Sequence, residues 1–548
     1  MLVVAIAPSL IWPSKQAVRR PGGRADSIPV TGPSVTQPTA VPTEPSAIPP
    51  VRPSAQVPAS AETVWVSSPL YRLGFSTGGA SLVHAELLAY QSFASGDSAQ
   101  RVQLVPAGRP LLAHRLTIPG ADTIPLAAWR FTPSVGSLRV DGDSVLLSFT
   151  AERGGMRVTL DYAFVPGEYL FQVRGKVTGL GAGGAVLVVG LGDGLRSVEA
   201  DSLDDFRLYA LVTKAAKTKS KDFGSLKPGE VAVLDGPFEW AGVKSKYFLV
   251  AALALEENHP QFAGAIAVGG PKTGRAATRT AVSLTLAVPP SGDFRYQLYA
   301  GPLEYRRLAR IGHDLDDANP YGWVFRPIVK PVSAFVVTIL LWLHERLNLA
   351  YGWVLVIFGV LVRLLLWPLN QKAMESGVRM QAVAPLIKET QERYKKEPER
   401  LQREMVKIYK EHKVNPFGGC LPMLLPWPVL LALFFVFANT IEFRGVPFLW
   451  LPDLSRHDPY YVIPVVMGLS MYVLSKVGMM GVPPNPQAKM MLYFMPIFMT
   501  VLFLKFASGL NLYYAVSNIF SIPQQYLIAQ RRLRQAGGGG PAQRKGAG

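Results

Sequence analysis

The residue best placed for chemistry is a guanidinium set inside an apolar run. Arg363 interrupts Tyr351–Leu369, YGWVLVIFGVLVRLLLWPL, which carries no other charge. At about 1.5 Å per residue this run can reach across a hydrocarbon core of roughly 30 Å. Arginine stays protonated at any accessible pH, and inside a span it costs roughly 2.5–3.5 kcal/mol. Two placements fit. The side chain can snorkel to the headgroups, although Asn370 lies seven residues, about 10 Å, further along the helix, just beyond comfortable reach. Alternatively it faces a bundle interior or wet cavity, giving the membrane a hydrated positive site that an anionic group could occupy.

Other polar side chains lie in apolar segments nearby: Asn439, Thr440, Ser470, Ser517, Asn518, Ser521, Gln524 and Gln525. Each alone is accounted for by hydrogen bonding between helices, worth about 0.6–2 kcal/mol. Together with Arg363 they could line a groove. No span carries Asp or Glu in its interior, which argues against a proton-coupled pump. The histidines show no metal spacing, and no phosphate loop or G-x-S-x-G is present. Gly179–Gly184 reads GLGAGG, but a strand-like run follows it where a dinucleotide site needs a helix. No catalytic constellation, cofactor site or metal site is expected.

The elements that must position these residues follow from composition. Of 548 residues, 49% are apolar, and the long runs concentrate after residue 350, so a membrane part is attached to a soluble one. Residues 1–13 (MLVVAIAPSLIWP) read as a truncated N-terminal transmembrane helix. Residues 14–61 are rich in Pro, Ser and Thr and read as a disordered linker. Residues 62–310 alternate in short apolar runs such as MRVTLDYAFV and YLFQVRGKV, cut by Gly, Pro and Asp, and predict an all-β sandwich. Residues 330–347 predict an amphipathic helix in the interface; a true span there would invert the topology after it.

Residues 351–530 predict a helical core of five spans, 351–369, 421–441, 460–477, 489–507 and 509–530, with a polar hairpin at 370–419. Met490, Met491, Met495 and Met499 give the fourth of these a pliable apolar surface. Positive charge sets the orientation. The net charge is +18, and in the hairpin Lys and Arg outnumber Glu, eleven to seven. The hairpin is therefore cytoplasmic, together with the basic tail 531–548. The β region, which precedes an inward-running span, lies outside, which in a two-membrane bacterium is the periplasm. The basic segments could attract anionic lipid or RNA phosphate without reading any base sequence. One cysteine, Cys420, allows no intramolecular disulfide.

The run Gly322–Gln530 closely resembles the YidC-type membrane protein insertases. The resemblance rests on VRLLLWPL around Arg363, KVNPFGGCLPMLL (Lys413–Leu425), DLSRHDPYYVIPVVMG (Asp453–Gly468) and FMPIFMTVLFLKFASGLNLYYAVSN (Phe494–Asn518). Upstream, KYFLVAA and YAGPLEYRRLA resemble the large periplasmic domain of the Gram-negative branch, which itself looks like sugar-binding sandwiches. The resemblance implies an insertase and chaperone that passes transmembrane segments of nascent proteins into the inner membrane through a hydrophilic groove, alone or with the Sec translocon, without nucleotide. It matches Arg363 to the groove arginine and Tyr513 and Tyr514 to positions near the substrate path. It also implies that the hairpin and tail receive the ribosome and signal-recognition machinery. A small-solute anion transporter or channel is the alternative, weakened by the lack of internal inverted repeats. A sugar-processing enzyme would need a carboxylate pair that the β region does not show.

Overall fold

The computed structural model describes residues 61–97, 100–120, 123–181, 183–254, 256, 260–319, 325–412, 427–480 and 486–537. The expected N-terminal helix at 1–13, nearly all of the linker, and Cys420 lie outside them.

Residues 63–302 form an all-β domain. Alternation builds it: in Met156–Phe164, Met156, Val158, Leu160, Tyr162 and Phe164 are buried while the residues between them face outward. This strand pairs antiparallel with Val145–Arg153 and Leu170–Thr178 inside a nine-stranded sheet. A five-stranded and a six-stranded sheet complete the sandwich, and residues of all three share one hydrophobic cluster. Phe75 from the five-stranded sheet lies 4.6 Å, centroid to centroid, from Tyr162 of the nine-stranded one. Phe262 from the six-stranded sheet meets Tyr296 at 6.1 Å. Tyr162 is fully buried and keeps its hydroxyl satisfied by donating to the Ala80 carbonyl at 2.6 Å.

His114 is buried in the same core, 2.7 Å from the Tyr296 hydroxyl. Its Nδ1 has no partner. Burial lowers its pKa from 6.5 to about 4, because the charged imidazolium would lose its hydration. The sign follows from linkage: the unfolded chain takes up the proton first, so stability is complete above pH 6.5 and drains as pH falls from 6.5 towards 4. A loss of about 3 kcal/mol is expected across that window. Thermal unfolding of residues 61–319 from pH 7 to pH 4 checks it: His114→Gln should flatten the pH dependence of Tm relative to wild type.

Ten helices are described: α1 (Ser202–Arg207), α2 (Tyr305–Ile311), α3 (Arg326–Leu347), α4 (Tyr351–Leu365), α5 (Trp367–Arg393), α6 (Pro398–Glu411), α7 (Trp427–Asn439), α8 (Val462–Gly478), α9 (Pro486–Phe503) and α10 (Ser508–Gly537). The apolar run 351–369 is not one helix. It breaks at Leu366, and Pro368 occupies the first turn of α5. A proline there has no N–H to give, and its ring opposes the carbonyl four residues back, so α4 ends before it. Arg363 consequently sits in the last turn of α4, where helix carbonyls favour a cation. At the other end of the chain α10 continues past residue 530, so Arg531 and Arg534 are helical.

Among the described residues, α3 is the helix long and apolar enough to cross a membrane by length and composition alone. α4, α8 and Leu492–Phe503 are shorter apolar helices. α10 packs against α4, α8 and α7, and α3 packs against α7. The shared core takes Leu340 from α3, Leu355 and Phe358 from α4, Phe437 from α7, Met467 from α8 and Tyr513 from α10. Large apolar side chains also point away from this core, among them Leu469, Ile497, Val501, Phe520 and Leu527. Apolar residues inside and outside together are the pattern of helices solvated by lipid.

Candidate functional site

The site is built on the crossing of α4 and α10. Gly359 allows the approach: a Cβ there would come within 3.3 Å of Val516 and 3.5 Å of Tyr513. Small residues at such crossings let helix backbones come close. One turn on, Arg363 and the Tyr513 hydroxyl interact electrostatically. The Tyr513 ring also packs against Phe358 at 6.0 Å. Arg363 is half-buried, and its Nε is shielded from solvent with no hydrogen-bond partner. Among the described residues no carboxylate pairs with it.

From Tyr513 a polar stripe runs down α10. The Tyr513 hydroxyl meets the Ser517 side chain, and the Ser521 hydroxyl donates to the Ser517 carbonyl at 2.5 Å. Gln524 Nε2 donates to the Trp367 carbonyl at 3.0 Å, at the very break between α4 and α5. Tyr513, Ser517, Ser521 and Gln524 are spaced by four, four and three residues, so they share one helix face and extend about 16 Å along it. The Oε1 of Gln524 and the Nδ2 of Asn370 on α5 are buried without a partner. Asn518 points round the helix to α8, donating to Ser470 Oγ at 3.2 Å, and Ser470 in turn donates to the Met467 carbonyl at 2.7 Å. That pair is an ordinary interhelical tie.

The structure therefore brings Arg363, Tyr513 and Ser517 together, with Asn518 one residue off the line. Tyr514 turns to the other side, edge-on to Phe503 at 5.3 Å. Thr440 is buried, with an unpartnered hydroxyl, but lies in the turn after α7 rather than beside Arg363. Asn439 ends α7, and its side chain is outside the described residues. Asn370 was not singled out in the sequence as a site residue. The signal that could have found it is its place seven residues after Arg363, two helical turns on.

Chemically, a positive charge with spare donor capacity heads a line of hydroxyls and amides, in a helical bundle otherwise apolar. It can bind an acidic or polar peptide stretch. Among the described residues, it holds no nucleophile paired with a base.

Residues 342–535 match the family described as 60Kd inner membrane protein, and residues 63–334 match the YidC periplasmic domain. The chain is 34% identical over 512 residues to a protein of Oleidesulfovibrio alaskensis named membrane protein insertase YidC, covering 90% of this chain and 91% of that one. It is 30% identical over 496 residues to the protein of the same name from Bordetella avium, covering 88% and 85%. A solved structure described as an active YidC insertase with its first transmembrane domain resolved overlaps 86% of this chain and 94% of that one at 18% identity. Its TM-score is 0.34, a superposition too loose to bear on the fold.

Proposed function

The chain belongs to the YidC family of membrane protein insertases, and from that premise we propose that the stripe headed by Arg363 is where an incoming segment lodges while it enters the membrane. The observation that carries this reading is Arg363 itself, held in the last turn of α4 against Tyr513 with its Nε unpartnered. The translocating end of a substrate, often acidic, pairs with the guanidinium. Its backbone and polar side chains exchange water for Ser517, Ser521, Gln524 and Asn370. The apolar stretch then passes over the outward-facing side chains of α8–α10 into lipid.

Magnitudes decide whether an external energy source is required. About ten Leu, Ile, Phe or Val residues contribute roughly 3–6 kcal/mol on insertion scales, against about 2.5–3.5 kcal/mol for one acidic residue carried through the centre. Burial alone covers the difference, so the step proceeds without nucleotide. What the protein lowers is the barrier, by keeping the polar end solvated on the way.

The reading of topology is five spans, α4, α7, α8, α9 and α10, with α3 in the interface. Its support is ionic. At the start of α3, Lys330 Nζ lies 2.7 Å from Asp317 and 3.2 Å from Asp316, and Arg326 pairs with Asp317. Near its end, Glu345 lies 2.5 Å from Arg306 of α2. Both ends are held by the same segment, 306–317, which follows the sandwich, so α3 has no need to cross. The sandwich is periplasmic. The pair α5–α6 and the C-terminal end of α10 then fall in the cytoplasm, where their Lys and Arg residues meet anionic lipid and the ribosome or signal-recognition machinery; cooperation with the Sec translocon belongs to the same reading.

Reconstitution tests it. Purified protein in liposomes should convert a short two-span substrate to protease-protected product, unchanged by removal of ATP and GTP. Product no greater than in empty liposomes would sink the insertase mechanism, and chloride or phosphate flux in its place would favour an anion channel.

A further inference from the structure

The segment that joins α7 to α8 is shared between two cores. Ile441 is buried, 3% exposed, within the hydrophobic cluster of the sandwich. Phe443 and Phe448, two and seven residues on, are buried within the cluster of the helices. Between them Arg444 points into the sandwich, its side chain 2% exposed. Its Nε donates to Glu199 Oε1 at 2.7 Å, and its two terminal nitrogens donate to the carbonyls of Gln91 at 2.8 Å and Val198 at 3.4 Å. The guanidinium lies 4.3 Å from the centre of the Phe93 ring and 5.5 Å from that of Phe248. Gly445 follows with φ +72°, and a Cβ there would strike the Phe93 ring, so glycine is required on both counts. A fork of donors satisfied by a carboxylate and two carbonyls, and stacked on aromatic rings, is a use of arginine that lysine cannot copy.

Beside this pin is a strained electrostatic arrangement. Glu442 Oε2 is shielded from water with no partner. The groups facing it are Glu304, the Tyr305 N–H and Arg306 of the α2 region, Tyr351 of α4 and Tyr90 of the sandwich. Arg306 is already engaged by Glu345, Glu304 by Arg307, and Tyr351 is stacked on His344 at 3.9 Å. No cation is left over for Glu442 among these groups.

We propose that the Thr440–Val446 segment rivets the sandwich to the helical bundle so that the two move as one body, with Arg444 as the positioning residue and Glu442 as a proton-dependent adjustment of the joint. Burial pushes the Glu442 carboxyl up to about 7, with Glu304 adding to the rise. The sign is that of a raised acid. Undocked, Glu442 ionises near 4.5; docked, it holds its proton to about 7. Docking is therefore tightest in acid and loosens as pH rises through that window. The periplasm follows the external medium, so the joint would sense it. This reading concerns the coupling of two domains and stands or falls independently of the insertion mechanism.

The test is a distance distribution between spin labels at Val231 on the sandwich and Val466 on α8, both exposed, in full-length protein carrying Cys420→Ser in lipid nanodiscs. Wild type at acid pH should give one narrow peak. Arg444→Ala and Glu199→Gln should each at least double its width, and Arg444→Lys should fall with the alanine variant, while sandwich unfolding temperature stays as in wild type. Wild type should broaden as pH rises from about 4.5 to 7, the interval between the undocked and docked Glu442 values, and Glu442→Gln should stay narrow throughout. Equal narrow peaks in wild type, Arg444→Ala and Glu199→Gln would overturn the rivet. Broadening in those variants, with a wild-type width that ignores pH, would overturn the role given to Glu442. If Arg444→Ala does not fold, Glu199→Gln decides alone.

Discussion

Arg363→Ala should lower insertion of a substrate with an acidic translocated stretch about tenfold, while Arg363→Lys lowers it by no more than a few-fold. The size follows from what is removed. A charge-assisted hydrogen bond is worth about 1.5–3 kcal/mol, and the lower end, appropriate to a hydrated groove, is about a factor of ten. Lysine retains the charge but loses the fork, so it should cost no more than a few-fold. The half-buried position of Arg363 matters here. Were the side chain merely snorkelling to the headgroups, alanine would relieve a cost and insertion would be unaffected. A purely apolar substrate supplies the internal control, since it has no partner for the guanidinium and should insert equally well into all three proteins. The measurement is protease-protected product over time in liposomes, with the acidic and the apolar substrate run in parallel. Equal loss for both substrates would mean that Arg363 holds the α4–α10 crossing together rather than receiving cargo.

The sandwich was legible because its strands alternate, and a residue such as Tyr162 can be assigned inward from its neighbours alone. The helical core was legible from apolar runs, but the runs overstate helix length. The 351–369 stretch hid a break that Pro368 could have announced, and that break is what places Arg363 at a helix end. The line Tyr513, Ser517, Ser521, Gln524 obeys helical spacing and could be read in advance. That it faces α4 could not, because lipid-facing and core-facing residues here are equally apolar and periodicity has little contrast. Tyr513 and Tyr514 were drawn in together by resemblance. Adjacent residues on a helix point about 100° apart, so Tyr513 lies against α4 at Gly359 while Tyr514 packs on Phe503. Arg444 carries no local signal of its role. Its partner Glu199 is 245 residues away in sequence, and no local pattern connects them.

Asn370→Leu should raise thermal stability and lower activity together, and that combination separates a working groove from a packing defect. Asn370 is buried, 3% exposed, with Nδ2 unpartnered, and a buried unsatisfied donor costs about 1–3 kcal/mol. Leucine has the same branched outline, with bulkier methyl groups and nothing to satisfy, so a site that takes those methyls should let the helical core gain about 1 kcal/mol, a rise in Tm of a few degrees. If Asn370 only fills space, insertion should stay level or improve with stability. If it solvates a passing backbone beside Gln524, insertion should fall roughly three- to fivefold, the loss of about one neutral hydrogen bond in the transit step. Proteins keep such unsatisfied groups where function needs them, at a cost in stability that substitution readily recovers. Tm by intrinsic fluorescence in nanodiscs, together with insertion rate in liposomes, gives both quantities on one protein. A variant more stable and equally active would remove Asn370 from the path and leave the stripe on α10 to act with Arg363 alone. A variant less stable than wild type would mean that the site is too tight for leucine's larger methyl groups.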